Sequence, residues 1–310
     1  MRLSGLLFFF LLWSVACIEP VDLQLPDDSD NELAVVCHFS PLDTFELVLS
    51  KGHSVFELDQ GAVEYPVDAQ ISLFSGGVLI DILSYTEPSS SETPPHYKAS
   101  YFVPEEGKSY ALRVVLEGEK VITAQSYVPF AVSIKPGSFT YHLDVLPEDE
   151  FSNRAEYELS FEIEDPVEEE NFYHVTFYQE LHNLIFTPDG DTLVQTVFSN
   201  PLRIDTKNSF LPLTPYIENR GYLFKDDFFS GSTQEFSFSG TFLFSKSSQQ
   251  LGNFVVELRT VTKEYYQYHT ALARYTRSLS DPLASPVLVP GNLENAEGIF
   301  TGFVSRFYAL

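Results

Sequence analysis

The chain has 310 residues, 44% of them hydrophobic and 20% charged, enough for one large or two ordinary globular domains with real cores. Lys+Arg number 18 against 44 Asp+Glu, a formal charge of -26. That balance excludes nucleic-acid binding by phosphate neutralisation and docking on an anionic membrane through a basic patch.

The N-terminus begins Met1-Arg2-Leu3, and Leu6-Leu7-Phe8-Phe9-Phe10-Leu11-Leu12-Trp13 follows shortly after. One positive charge before a short apolar run is the plan of a secretory signal peptide; a bilayer-spanning helix needs roughly 20 apolar residues. The run ends at Ser14-Val15-Ala16-Cys17, where a small residue before a cysteine resembles a lipobox. Cleavage after Ala16 leaves Cys17 as an acylated N-terminus; the alternative is an ordinary signal beside an incidental cysteine. Residues 1–16 are read as signal peptide and 17–32 as a lipidated tether containing Pro20, Pro26 and Asp27-Asp28-Ser29-Asp30. Two or three acyl chains, at about 0.8 kcal/mol per buried CH₂, hold a protein stably on a membrane. The second cysteine, Cys37, sits in Leu33-Ala34-Val35-Val36-Cys37-His38-Phe39 and reads as a buried, unpaired thiol, with a Cys17–Cys37 disulfide as the alternative.

From there the hydrophobic pattern has period two. Ile71 to Ile82 predicts a hairpin turning at Gly76-Gly77. Tyr110, Leu112, Val114 and Leu116 alternate with other residues, and Glu117-Gly118-Glu119 turns the chain into Val121-Ile122-Thr123-Ala124. The polar stretch from Glu87 to Pro95 predicts a mobile loop. Pro129 to Gly137 predicts a domain junction, dividing a first domain at 33–129 from a second at 130–310. In the second, Tyr157, Leu159, Phe161 and Ile163 alternate with Glu156, Glu158, Glu162 and Glu164, a strand with one dry and one acidic face. Phe236, Phe238, Phe242 and Phe244 repeat the plan, and strands run through His174–Tyr178 and Phe254–Leu258. One helix is predicted over 262–279. Thr262 is its N-cap, Tyr265, Tyr268, Leu272, Tyr275 and Leu279 lie on one face, and Asp281-Pro282 stops it. The stripe reads as core packing, with a ligand-facing stripe as the minor alternative.

No catalytic, metal or cofactor signature emerges. The seven histidines are scattered, and HExxH, CxxC, GxSxG and phosphate-binding glycine loops are absent. Asp189-Gly190-Asp191 matches a fragment of a calcium loop but reads better as a turn. With 44 acidic residues, adjacency such as Glu168-Glu169-Glu170 carries almost no information.

An ordered series closes the chain. Tyr265-Tyr266-Gln267-Tyr268 is followed by Asp281-Pro282-Leu283-Ala284-Ser285-Pro286-Val287, then by Gly291-Asn292-Leu293-Glu294-Asn295-Ala296-Glu297-Gly298-Ile299-Phe300-Thr301-Gly302-Phe303. This series resembles the end signature of the domain-of-unknown-function family 4249. Leu223 to Gly231 resembles that family's Asp-x-x-Phe-x-Gly segment. The resemblance implies an outer-membrane lipoprotein of the Bacteroidota, often encoded beside TonB-dependent receptors. It also implies an N-terminal part similar to transthyretin-like or carboxypeptidase-regulatory β-sandwiches, and it carries over no catalytic residues.

The expected molecule is therefore all-β: an N-terminal β-sandwich, then a mostly antiparallel β domain with one C-terminal amphipathic helix. Within the closing series, Gly298, Ile299, Phe300 and Gly302 form either a structural plug or a binding loop. The expected role is non-enzymatic: a lipoprotein anchored in the outer membrane, more on its cell-surface side, serving a TonB-dependent β-barrel transporter as accessory or substrate-capture subunit. A surface adhesion or structural module is the alternative. A hydrolase would need Asp, Glu or His side chains converging in a pocket.

Overall fold

The computed structural model describes residues 33–52, 63–88, 93–167, 169–208, 210–281, 283–285 and 287–310. Ala16, Cys17, the signal, the tether and Pro282 lie outside the described residues, as does part of the Glu87–Pro95 loop. The fold is all-β with a single long helix among the described residues.

The first half contributes β1 (Leu33–Phe39), β2 (Glu46–Lys51), β3 (Gln70–Ser75), β4 (Val78–Thr86), β5 (His96–Lys98), β6 (Ser109–Val115) and β7 (Ile122–Tyr127). Alternation places Leu33, Val35, Cys37 and Phe39 of β1 inward, against Ile71 and Leu73 of β3 and Tyr110, Leu112 and Val114 of β6. The β3–β4 hairpin turns at Gly76 and Gly77, both with positive φ (57° and 79°), as its two-residue loop requires. Cys37 is buried and free, and burial pushes its thiol pKa up, so it packs as a small hydrophobe.

The second half supplies β8 (Thr140–Pro147), β9 (Ser152–Glu164), β10 (Phe172–Phe186), β11 (Thr192–Phe198), β12 (Ile204–Thr206), β13 (Thr214–Pro215), β14 (Tyr222–Lys225), β15 (Thr233–Ser245) and β16 (Gln249–Val261). After these come α1 (Lys263–Ser278), β17 (Leu293–Glu294) and β18 (Glu297–Ala309). A four-stranded sheet, β12-β15-β9-β8, packs on a larger one. Tyr157, Leu159, Phe161, Phe236 and Phe238 of the smaller sheet meet Tyr173, Val175, Phe177, Phe254 and Val256 of the larger. The expected dry and wet faces of β9 are both present: Tyr157, Leu159, Phe161 and Ile163 are buried, while Glu158 and Glu164 are exposed. Strand β10 is buried on both faces over Phe172–Phe177, which is why its sequence reads as a nearly unbroken apolar run.

The two halves share one large sheet, ordered β13-β14-β10-β16-β18-β1-β2-β5-β4-β3-β6-β7-β17, with β11 on the edge of β10. Strand β18 joins them. Its first half pairs in parallel with β1 (Ala34 opposite Glu297, Phe39 opposite Gly302), and its second half pairs antiparallel with β16 (Val261 opposite Phe303, Val255 opposite Ala309). Two hydrophobic clusters meet near residue 130, one ending at Val128 and the other beginning at Val132, but Phe300 and Val304 of β18 belong to the first. Residues 33–129 therefore do not close their own core; the last strand of the chain completes it.

The helix occupies Lys263–Ser278, and the Thr262 hydroxyl accepts the Tyr265 amide at 3.2 Å. Its buried face is Tyr265, His269, Thr270 and Ala273, whereas Tyr275 and Leu279 of the expected stripe are exposed. After Tyr265 the contact runs i, i+4, i+8 along small and polar residues, because the helix lies close over β10, β14 and β18.

Because β18 is built into both cores, heat unfolding is expected as a single calorimetric transition. Phe300→Ala, which empties a fully buried site, should lower that transition as a whole by about 3–5 kcal/mol. Two separate transitions, with only the lower one shifted, would show that the halves fold independently.

Candidate functional site

The four residues singled out at the end of the chain are built into β18. A side chain at Gly298 (φ 102°) would collide with the Val35 carbonyl oxygen, and one at Gly302 with the Tyr127 carbonyl oxygen. Ile299 and Phe300 are buried, and the Phe300 ring lies 4.9 Å from Phe39 and 6.3 Å from Phe45. Asn292 acts as a substitute strand: its amide oxygen accepts the Phe300 N–H at 2.9 Å, and its NH₂ donates to the Phe300 carbonyl at 2.7 Å. The Asp226–Gly231 segment is also tied in. The buried Asp226 carboxylate accepts the Asn171 amide at 2.8 Å, and the Gly231 amide donates to Asp165 at 3.2 Å.

A cleft of about 530 Å³ opens three residues further along β18, beside Phe303. His38, Asp43, Thr44 and Glu46 line it from the first half; His174, Tyr216, Arg259, Tyr265 and His269 line it from the second. Alternation along β1 turns His38 away from the Cys37 face and toward the helix. His174 projects from the helix-facing side of β10, and Tyr265 and His269, four residues apart, lie on the buried face of α1. None of Gly298, Ile299, Phe300 and Gly302 lines this cleft.

Two hydrogen-bonded chains meet here. His38 Nε2 and His269 Nε2 are 2.9 Å apart, one donating to the other, and His269 Nδ1 lies 3.1 Å from the Tyr216 hydroxyl. In the second chain, Arg259 Nη1 donates to the Tyr265 hydroxyl at 3.3 Å, and that hydroxyl lies 2.9 Å from His174 Nδ1. Arginine has only donors, so the Tyr265 oxygen accepts from Arg259 while it shares a hydrogen bond with His174 Nδ1. His174 Nε2 is buried without a hydrogen-bond partner, as is Thr176 Oγ1. Both lie against Gly221, where a Cβ would approach them to 3.1 and 3.3 Å.

The charge at the floor is fixed. Arg259 grips buried Glu257 in bidentate fashion, through Nε at 2.7 Å and Nη2 at 3.0 Å, with its guanidinium 4.8 Å from the Phe303 ring centre. Glu257 also accepts from Tyr178 at 2.8 Å and Ser305 at 2.6 Å. Burial pushes its pKa up, but the Arg259 charge and these three donors outweigh burial and hold it below the ordinary carboxylate value. Burial, assisted by Arg259, lowers His38 to about 4 and puts His174 well below its usual value. His269 is also well below, through burial first and then its histidine neighbours and Arg259. Burial raises the Tyr216 hydroxyl to about 12. At neutral pH the cleft thus presents uncharged imidazoles and phenols over a neutralised ion pair, with Asp43 and Glu46 at its rim. Its floor can donate and accept hydrogen bonds with little net charge.

A larger depression of about 840 Å³ lies elsewhere, on the outer face of the four-stranded sheet, among His142, Asp144, Glu156, Glu158, Arg203 and Glu218. Its charged groups are exposed and paired with neighbours: Arg203 with Glu218 at 2.9 Å and His142 with Asp144 at 3.1 Å. That is the solvated acidic face expected of β9. The junction cleft is the better candidate, because its polar groups are buried and aimed at one another. Among the described residues no group of three His, Cys, Asp or Glu is arranged to hold a metal ion, and Asp189-Gly190-Asp191 forms the β10–β11 turn.

The histidine cluster was not foreseen. Its members lie on β1, β10 and α1, and no spacing rule links them. The available signal was local: His174 interrupts an apolar run, and His269 sits four residues from Tyr265 on the helix.

Fold and site together define an all-β protein whose last strand closes both of its cores and whose buried histidines meet at the junction. The chain belongs to the family described as Domain of unknown function (DUF4249), whose model matches residues 18–306. Among curated proteins, no sequence matches it.

Acid should loosen the junction. Below pH 6.5 the unfolded chain protonates histidines that the folded chain keeps neutral, so their stability is complete above about pH 7.5 and declines as pH falls. For His38 alone the loss reaches about 2 kcal/mol by pH 5. Urea titrations between pH 7.5 and 5 should show this decline, with a shallower slope in His38→Asn and His269→Asn; an unchanged slope would mean that the imidazoles are already charged in the fold.

Proposed function

We propose that this protein is a non-enzymatic lipoprotein, anchored to the outer membrane through acylated Cys17. In this reading it captures a small polar ligand in the junction cleft for a TonB-dependent β-barrel transporter. The observation that carries the capture role is the cleft, where uncharged hydrogen-bonding groups from both halves of the molecule converge. Placement at the membrane rests on the run from Leu6 to Cys17, and the transporter on what the resemblance of the closing series implies. No helix among the described residues is long and apolar enough to cross a membrane. A cell-surface location suits a capture role.

Converging imidazoles are also what a hydrolase would need. The non-enzymatic reading is favoured because the imidazoles hydrogen-bond to one another and to tyrosine hydroxyls, and because Glu257 is committed to Arg259 and not to a histidine.

Two measurements test the proposal. In a detergent phase separation, full-length protein should enter the detergent phase, and Cys17→Ser should move it to the aqueous phase. Aqueous partition of the unaltered protein removes the anchor. After mild crosslinking of intact envelopes, the protein should be recovered with a large β-barrel receptor. Thr44→Trp, which obstructs the exposed rim of the cleft, should leave that complex intact while reducing uptake by the receptor. Loss of attachment with normal uptake in a deletion strain would favour the adhesion module instead.

A further inference from the structure

Among the described residues, most sheet margins are short or blunted, whereas β11 is seven residues long and is neither. Strands β13 and β17 have two residues each and β12 has three, too short to template another strand. On edge strand β8, the charge of Asp144 and the ring of Pro147 blunt the free margin. On β4 the Asp81 carboxylate accepts the amides of Ile82 at 2.8 Å and Ser100 at 3.1 Å, closing that margin. Strand β11 has none of these devices. Its seven residues, Thr192-Leu193-Val194-Gln195-Thr196-Val197-Phe198, contain neither charge nor proline, and they pair with β10 only.

The hairpin it forms carries exposed apolar side chains on both faces. Register places Leu184 opposite Val194, on the same face as Phe186 and Phe198, and Ile185 opposite Leu193 on the other. Val194, Phe186, Phe198 and Leu193 are each more than half exposed. An exposed, uncharged edge of this kind pairs with another strand unless it is blunted.

We propose that β11 is a strand-addition site for an extended segment of a partner protein, uncharged where it pairs and basic at its ends. The free edge of β11 offers alternating N–H and C=O groups, which only another backbone can match along its length. Apolar side chains above and below the ribbon would grip alternate side chains of the added strand. Charge selects among occupants: Asp189 and Asp191 flank the tip, and the whole chain carries -26. A second copy would bring the same acids and the same net charge, whereas lysine or arginine beside the added strand complements them. The site is separate from the junction cleft and does not depend on the role proposed for it.

The probe is a fluorescein-labelled octapeptide of alternating valine and threonine with two lysines at each end, titrated with full-length protein and followed by anisotropy. Saturable binding is expected, weakened about tenfold by Val194→Lys. A peptide N-methylated at alternate amides on its pairing edge should not bind, and one with glutamates in place of lysines should bind markedly less tightly. No binding of the lysine peptide would overturn the proposal. So would binding indifferent to N-methylation, since it would reflect side-chain adhesion, and equal binding of the glutamate peptide. Concentration-dependent dimers in sedimentation, abolished by Val194→Lys, would assign the edge to a second copy and overturn the partner proposed here.

Discussion

The pairing of β18 is the constraint on which the rest of the structure depends. One continuous strand makes a parallel ladder with β1 and then an antiparallel ladder with β16. A strand cannot bend freely between consecutive ladders, so the orientation of one half relative to the other follows from its backbone. Close passage past Val35 and Tyr127 is possible only where Cβ is missing, which accounts for Gly298 and Gly302. The Asn292 side chain completes the arrangement by meeting the Phe300 backbone groups where no neighbouring strand does.

The junction cleft is a consequence of that continuity. His38 reaches His269 only because β1 is registered against β18, and β18 against β16, over which the helix lies. In a chain this acidic, a buried arginine would attract stray carboxylates. Glu257 answers it at hydrogen-bonding distance, and Tyr178 and Ser305 occupy the remaining carboxylate lone pairs. A buried ion pair satisfied in this way adds little net stability, but removing either partner is costly because it strands a charge. Glu257 and Arg259 therefore fix the position of Tyr265, which in turn holds His174 through Nδ1.

Much of this fold was legible in the sequence, and the reasons are local. Alternation in β9 and β15, the Gly76-Gly77 turn and the Thr262 cap depend on neighbours a few residues away, and each appears where the pattern put it. The closing series was recognisable as a signature, but its meaning was not. Glu297 pairs with Ala34 across almost the whole chain, and nothing at either end of the sequence announces a parallel partner. The same distance hid the histidines, each of which reads alone as an isolated polar residue. The helix shows a subtler limit. Counting apolar residues chose Tyr275 and Leu279 for burial, whereas close approach to the sheet favoured the smaller Thr270 and Ala273.

Continuity also limits how the cleft can work. Two-domain binding proteins usually close on a ligand by hinging at a few residues between the domains. Here β18 crosses the boundary as paired strand, and the 130–139 segment crosses it pinned to β16 and β18. The Val132 amide donates to Thr260 at 2.9 Å and the Ile134 amide to the Tyr308 hydroxyl at 2.8 Å. A hinge would have to break ladder bonds in the core of the sheet, at a cost comparable to unfolding part of it. The exposed turn that carries Asp43 and Thr44 forms the rim, and the His38–His269 and His174–Tyr265 pairs form a preorganised floor. Under the proposed capture role, affinity would come from groups already oriented before the ligand arrives.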